Sequence, residues 1–453
     1  MKKDMTSGKE WKLILLFTLP IMAGNLLQQL YNTADNIIVG NYVSQSAFAA
    51  VATCAPLTLL FLAFALGLSI GANVVVAQLF GAREEDRLAV SVDTAMLLLG
   101  AVGAIVTALG IIFTPFLLQR VMTVPEELMA QSVTYLRIYC IGLLFQFVYN
   151  AIAAILRGIG DSKASLYFLL ITAALNIGLD LFAVLLLHMG VAGTAWATVV
   201  SQLVCVAVSY VYLRRRFRFV RSGRHFDAGI CKTILKIGLP TALQQSIVSL
   251  GNVAMQRLVN DFGETVIAAY GAGSRINMFA FVPIIGFQSG LASFTGQNIG
   301  AGRLDRVRRG YLHTLIMGLA ATVLLCAALF FAARPIVALF GLSGESLAIG
   351  VTQIKFYAKI FWFFSLYMIL GGVLQGAGDT ILQSVATLSA LAIRVALGYL
   401  GVYVFHWFGY TAAWETNLYG WIVAIIITNI RYFTGGWKKK AVVSRAPAKS
   451  PEG

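Results

Sequence analysis

Nineteen Asp and Glu residues are spread over 453 positions, and most fall in polar breaks between long apolar runs. Asp35 and Asp180 do not: both lie inside apolar stretches, where an ionisable side chain is costly and by default marks function. Counted at helical rise, Asp35 lies roughly 7–8 Å below the Gly40 end of its run, and Asp180 roughly 10 Å below the end of the fifth run. Asn176 is one turn from Asp180 on the same helical face. Thr198 lies roughly 10 Å into the sixth run. Two carboxylates, an amide and a hydroxyl therefore reach a common depth. Hard oxygen donors of this kind suit Na⁺, and one of two neighbouring carboxylates can instead hold H⁺. The alternative is structural: each acid hydrogen-bonds a neighbouring helix, and Asn176 and Thr198 hold helices together.

The elements that must position these residues are membrane spans. Hydrophobic residues make up 59% of the chain and charged residues 12%, about half the charged share of a soluble domain. A soluble multidomain enzyme and a disordered chain are both excluded. Twelve apolar runs lie near 12–40, 50–79, 88–113, 130–156, 163–187, 191–213, 233–258, 267–297, 308–332, 350–374, 381–406 and 410–433. Each can cross about 30 Å of hydrocarbon as a helix, and none alternates in the manner of a porin strand. With both termini placed in the cytoplasm, 26 of the 34 Lys and Arg residues fall on the inner side. This positive-inside pattern assigns the net charge of +15 to an anionic leaflet and excludes nucleic acid as a partner. The five cysteines and four histidines are too dispersed for a zinc site or a disulfide framework. The opening run is too long for a signal peptide, which leaves a multi-pass protein of the plasma (inner) membrane. Four regions are expected: an N-lobe of six spans (1–212), a basic cytoplasmic linker (213–232), a C-lobe of six spans (233–435) and a basic cytoplasmic tail (436–453).

The two lobes are copies. At an offset near 220, Leu19-Pro20 meets Leu239-Pro240, and Gly67, Gly71, Gln78, Gly81 and Ala82 meet Gly286, Gly290, Gln297, Gly300 and Ala301. Further on, Gly158, Gly160 and Asp161 meet Gly376, Gly378 and Asp379. An even number of spans per copy makes the repeats parallel, an arrangement expected to surround a central cavity in a transporter. The fold class is thus all-α: twelve transmembrane helices in two parallel six-helix repeats. No phosphate-loop motif is present, so Gly158–Lys163 reads as a tight turn and uphill transport would need an ion gradient.

The block Gly67-xxx-Gly71 with Gln78-xx-Gly81-Ala82, the pair Arg157-Gly158-Ile159-Gly160-Asp161 and Gln375-Gly376-Ala377-Gly378-Asp379, and Pro20 and Asp35 on the first span resemble the multidrug and toxic compound extrusion (MATE) family. The resemblance covers roughly residues 10–435. It implies export of amphipathic, often cationic, organic compounds in exchange for Na⁺ or H⁺, with no other cofactor or metal and no catalysis. It also implies a first-lobe cation site at Asp35, Asn176, Asp180 and Thr198, with Tyr135 or Tyr139 and Asn150 nearby.

The second copy departs from the first. Asp35 aligns with Met255, Asn176 with Arg394, Asp180 with Gly398, and Thr198 with Thr416, so a second cation site is not expected. Arg394 near mid-span needs a partner, and Glu415 is the candidate for a structural ion pair. Pro20 should bend the first helix and serve as a hinge, if it does not merely shape the helix. Gln28, Asn32, Gln244, Gln245, Gln256 and Tyr367 are candidates to line the substrate cavity, together with Tyr135, Tyr139 and Asn150. The reading is a secondary antiporter acting as a monomer. Its rival is a flippase for lipid-linked precursors, which should show extra spans or several cavity cations where this chain offers only Arg394.

Overall fold

The computed structural model describes residues 4–216 and 225–442, apart from the side chains at 36, 41 and 216. Residues 217–224 of the basic linker and the end of the basic tail lie outside the described residues. The remainder is all-α, in chain order α1 (Glu10–Ile38), α2 (Gln45–Ala82), α3 (Glu85–Phe116), α4 (Glu126–Gly158), α5 (Ser162–Leu181), α6 (Gly190–Arg216), α7 (Ala228–Asn260), α8 (Glu264–Gly300), α9 (Leu304–Phe331), the short α10 (Ala333–Ala338), α11 (Gly344–Ala377), α12 (Thr380–Tyr399) and α13 (Ala412–Phe433). Twelve of these are long, and among the described residues ten are apolar enough over their length to cross a membrane. The two below that mark are α7, diluted by Gln244, Gln245, Asn252 and Gln256, and α13, diluted by Glu415 and Asn417. The chain is an all-α membrane protein with the expected twelve long helices.

Short polar side chains start three of the helices, α2, α5 and α7. Ser44 accepts from the Ala47 amide at 3.0 Å ahead of α2, and Asp227 accepts from the Ile230 amide at 2.8 Å in the first turn of α7. Such caps satisfy amides that have no partner in the first turn. The duplication is legible in the backbone itself. Helix α5 and its π-helical extension Phe182–Leu186 recur 218 residues later as α12 and Leu400–Val404. Left-handed residues recur too: Arg83, Thr123, Gly160 and His188 (φ 59°, 48°, 85° and 52°) are matched by Gly302, Gly341, Gly378 and His406 (71°, 76°, 85° and 52°). Gly160 and Gly378 end their helices in tight turns, after which Asp161 receives the Tyr212 hydroxyl at 2.8 Å and Asp379 receives Arg431 Nε at 2.6 Å.

The chain forms two compact units whose boundaries do not follow the linker. One comprises Ala23–Leu243, the other Met5–Met22 with the chain from Gln244 onward. Helices α1 and α7 each begin in one unit and end in the other, and the change comes two or three residues after Pro20 and Pro240. In the first unit, the early part of α7 lies on α2, where Gly67 faces the Ala242 backbone and Gly71 faces the Ile234 carbonyl. In the second, the early part of α1 lies on α8, where Gly286 faces Met22 and Gly290 faces Thr18. The duplicated Gly-xxx-Gly pair is therefore a close-approach surface. An arginine fixes residues 5–10 in the second unit: Arg306 donates to the Met5 and Gly8 carbonyls, to Asn298 Oδ1 and to Glu10 Oε1 at 3.0–3.3 Å.

A second contact of the same kind joins α4 to α2 at Gly158 and α11 to α8 at Gly376, where a side chain would meet Val76 and the Ala292 carbonyl respectively. Overpacking such a site costs typically 1–3 kcal/mol, and more where backbone is the obstacle. Gly67→Leu and Gly376→Leu should each lower the melting temperature of the solubilised protein by several degrees or prevent folding. Gly271→Ala, which meets nothing within 4 Å, should leave it unchanged. Fluorescence-detected size-exclusion after heating reads all three.

Candidate functional site

Four of the residues singled out by depth meet in the first unit. Asp35 lies near the end of α1, Asn176 and Asp180 one turn apart on α5, and Thr198 in α6. Asn176 is completely buried and Asp180 is 1% exposed. With its amide nitrogen turned toward the acids, Asn176 donates to Asp35 Oδ1 at 2.9 Å and to Asp180 Oδ2 at 3.2 Å. Its other amide atom lies 3.4 Å from Thr198 Oγ1, whose hydroxyl donates to the Thr194 carbonyl at 3.1 Å. One amide thus bridges both carboxylates.

The carboxyl groups of Asp35 and Asp180 are drawn together on that one nitrogen, and Asp180 Oδ1 is buried with no donor facing it. Two carboxylate oxygens in such an approach repel unless a positive charge joins them, and the same low-dielectric surroundings that strengthen attraction strengthen that repulsion. A proton held between them or a Na⁺ beside them supplies it. The two acids and the amide between them come from α1 and α5, with the α6 hydroxyl of Thr198 at the far side of the amide.

Tyr31 was not singled out by the sequence. It sits one turn before Asp35 on α1, and lies within electrostatic reach of Asp35, Asp180, Tyr135 and Tyr139. Its i, i+4 spacing from Asp35 was the available signal. Tyr135 and Tyr139 stack with ring centroids 6.0 Å apart on α4. Asn150, also on α4, turns its amide back to the Gln146 carbonyl at 2.8 Å and does not join the group. Of the other cavity candidates, Gln28 and Asn32 are exposed on α1 and Gln245 is exposed on α7. Gln244 is buried and accepts from the Ser384 hydroxyl at 2.8 Å, and Gln256 donates to Asn260 Oδ1 at 2.9 Å. Tyr367 is 4% exposed and hydrogen-bonds Thr387.

The second unit fills the equivalent place with apolar groups. Met255, aligned with Asp35, is fully buried, and its thioether packs at Gly398, the counterpart of Asp180: a Cβ there would meet Met255 Cε at 3.2 Å and Sδ at 3.5 Å. Thr416 keeps its turn, donating to the Ala412 carbonyl at 2.7 Å. The expected ion pair between Arg394 and Glu415 is not formed. Arg394 Nη1 donates instead to Asn252 Oδ1 at 3.0 Å, and among the described residues no carboxylate lies within ion-pair distance of it. Asn252 stands beside Arg394 on the neighbouring α7, whereas Glu415, in the first turn of α13, lies about 10 Å nearer the end of its span at helical rise, and the guanidinium takes the acceptor at its own level.

A duplicated twelve-helix membrane fold is the architecture of a transporter. The MatE family model matches residues 20–182 and 240–400, and the chain belongs to that family. It is 28% identical over 95% of both chains to the probable multidrug resistance protein YoeA of Bacillus subtilis, and 24% identical to the probable multidrug resistance protein NorM of Thermotoga maritima over 97% of this chain and 95% of that one. An outward-facing structure of a multidrug resistance MATE family transporter superposes with a TM-score of 0.89 at 25% identity, covering 97% of this chain and 99% of the other.

The rearranged partner of Arg394 is open to a double-mutant cycle. Arg394→Met with Glu415→Gln should be additive in unfolding free energy to within about 0.5 kcal/mol, whereas Arg394→Met with Asn252→Leu should couple by about 0.5–3 kcal/mol. Chemical denaturation of the solubilised protein measures both.

Proposed function

We propose that this chain, a multidrug efflux transporter by family, exports amphipathic organic compounds in exchange for Na⁺ or H⁺ bound at Asp35 and Asp180. The observation that carries the reading is the single buried amide of Asn176 bridging the two carboxylates. One cation removes the repulsion within such a pair, and an unoccupied pair is penalised in a low-dielectric layer. The ion therefore favours whichever state brings the two acids together, and coupling follows if that state holds drug poorly. An ion with equal affinity for both states would drive nothing. Each charge entering down the membrane potential supplies about 2.3 kcal/mol per 100 mV.

Alternating access would come from rocking of the repeats. Pro20 and Pro240 serve as hinges in this reading, because each removes a helix hydrogen bond just before its helix passes from one compact unit to the other. The distribution of basic segments supports a plasma-membrane location with both termini in the cytoplasm. Both repeats are carried on one chain, so a monomer suffices.

Purified protein in liposomes, with Na⁺ and H⁺ gradients imposed separately, tests the reading through the efflux of a fluorescent drug. Wild-type protein should respond to at least one gradient. Asp35→Asn, which keeps the volume but cannot bind or release a proton, should reduce gradient-driven efflux by at least tenfold while melting at the wild-type temperature. Gradient-driven efflux at the wild-type rate in Asp35→Asn would remove Asp35 from the coupling site.

A further inference from the structure

Helix α7 presents three faces within the second unit. Gln244, Gly251 and Met255 are buried, with Gly251 against Leu391 and Met255 against Gly398 of α12. Ile247 and Leu250 are exposed and apolar, as a lipid-facing surface is. A third face carries Gln245, Ser249, Asn252 and Gln256, spaced i, i+4, i+7 and i+11, none of them fully buried. A stripe of amides and a hydroxyl at membrane depth does not face acyl chains, because lipid offers no hydrogen bonds. It faces water or a polar ligand.

Arg394 stands at this stripe. It lies 14 residues into the span Thr380–Val404, roughly 21 Å from one end and 15 Å from the other, and it is half-buried. Its only acceptor among the described residues is the neutral Asn252 oxygen, and its Nε is buried without one. The second unit has acids to spare, but they are used elsewhere or too far away. Asp379 takes Arg431, Glu10 takes Arg306 and Arg309, Asp305 takes Arg309, and Asp261 receives the Tyr403 hydroxyl. A guanidinium that persists near the middle of the hydrocarbon layer with one neutral partner is an unusual expense in a membrane protein, and it is too deep for a phospholipid headgroup to neutralise.

We infer that Arg394, held by Asn252, is the binding group for a carboxylate or similar oxyanion on the transported compound, so that the preferred cargo is an amphipathic organic acid. This rests on the reading of the chain as an exporter of organic compounds, and it departs from the expectation of mainly cationic cargo. Guanidinium and carboxylate match in a two-bond geometry that an ester or an amine cannot reproduce, and the amides and hydroxyl of α7 supply neutral donors and acceptors for the rest of the polar end. In this role the two repeats divide the work by charge: a carboxylate pair in one takes the small cation, and a fixed guanidinium in the other takes the organic anion.

The test is equilibrium binding to the full-length protein in detergent, with no gradient, using three dansyl probes: dansyl-phenylalanine, its methyl ester, and dansyl-cadaverine. Wild-type protein should bind the acid at least tenfold more tightly than the ester, and the cation most weakly. Arg394→Gln should erase the preference for the acid while leaving ester affinity unchanged, and Arg394→Lys should retain part of it. Asp35→Asn should keep the preference intact, so loss of ion coupling and loss of acid recognition are separable. The inference is overturned if wild-type protein binds the ester or the cation as tightly as the acid. It is also overturned if Arg394→Gln weakens all three probes equally, which is the behaviour of a structural residue.

Discussion

An ionised carboxylate inside a membrane must find a positive charge or hydrogen-bond donors, and two adjacent ones must share them. In this protein Asp35 and Asp180 share one amide, that of Asn176, and much of the first unit is arranged to make that possible. Helix α5 carries the amide and one acid on a single face, α6 brings the Thr198 hydroxyl to the amide's other end, and the last turns of α1 carry Asp35 with Tyr31 behind it. The shared amide leaves Asp180 Oδ1 without a donor. On the proposed function, that deficit is what a bound cation would fill.

The second unit shows that the constraint belongs to the residues and not to the fold. Its backbone repeats four left-handed residues of the first and the π-helical turn that follows α5. Yet Met255 and Gly398 close the same space with a thioether and a missing side chain, and the remaining charge is the guanidinium of Arg394. A duplicated scaffold therefore holds two different chemistries at equivalent positions. Gly67 and Gly286, and Gly158 and Gly376, repeat where helices touch. Gly398, which stands where the first unit has Asp180, marks where the two chemistries part.

Much of this was legible from the sequence because depth along a straight helix can be counted. Residue spacing alone groups Asp35, Asn176, Asp180 and Thr198, and the structure brings the other three to the Asn176 amide. Rotation about the helix axis cannot be counted in the same way, and the differences lie there. Tyr31 was passed over although it is one turn from Asp35. Asn150 was grouped with the site but turns its amide back to its own helix. Glu415 was paired with Arg394 by alignment of the repeats, whereas Asn252 on the adjacent helix stands at the right level. The exchange of the early parts of α1 and α7 between units was also not foreseen. It depends on glycine contacts between residues some 170 positions apart in one unit and 270 in the other, which no local pattern records.

The claim on which the account rests is that the Asp35–Asp180 pair takes up one cation. Infrared difference spectroscopy on the reconstituted protein reads carboxyl groups directly. Adding Na⁺ or changing the proton concentration should produce a carboxyl band change in wild-type protein that is lost in both Asp35→Asn and Asp180→Asn. A spectrum with no ion-dependent carboxyl change, or a change that survives both substitutions, would contradict the account.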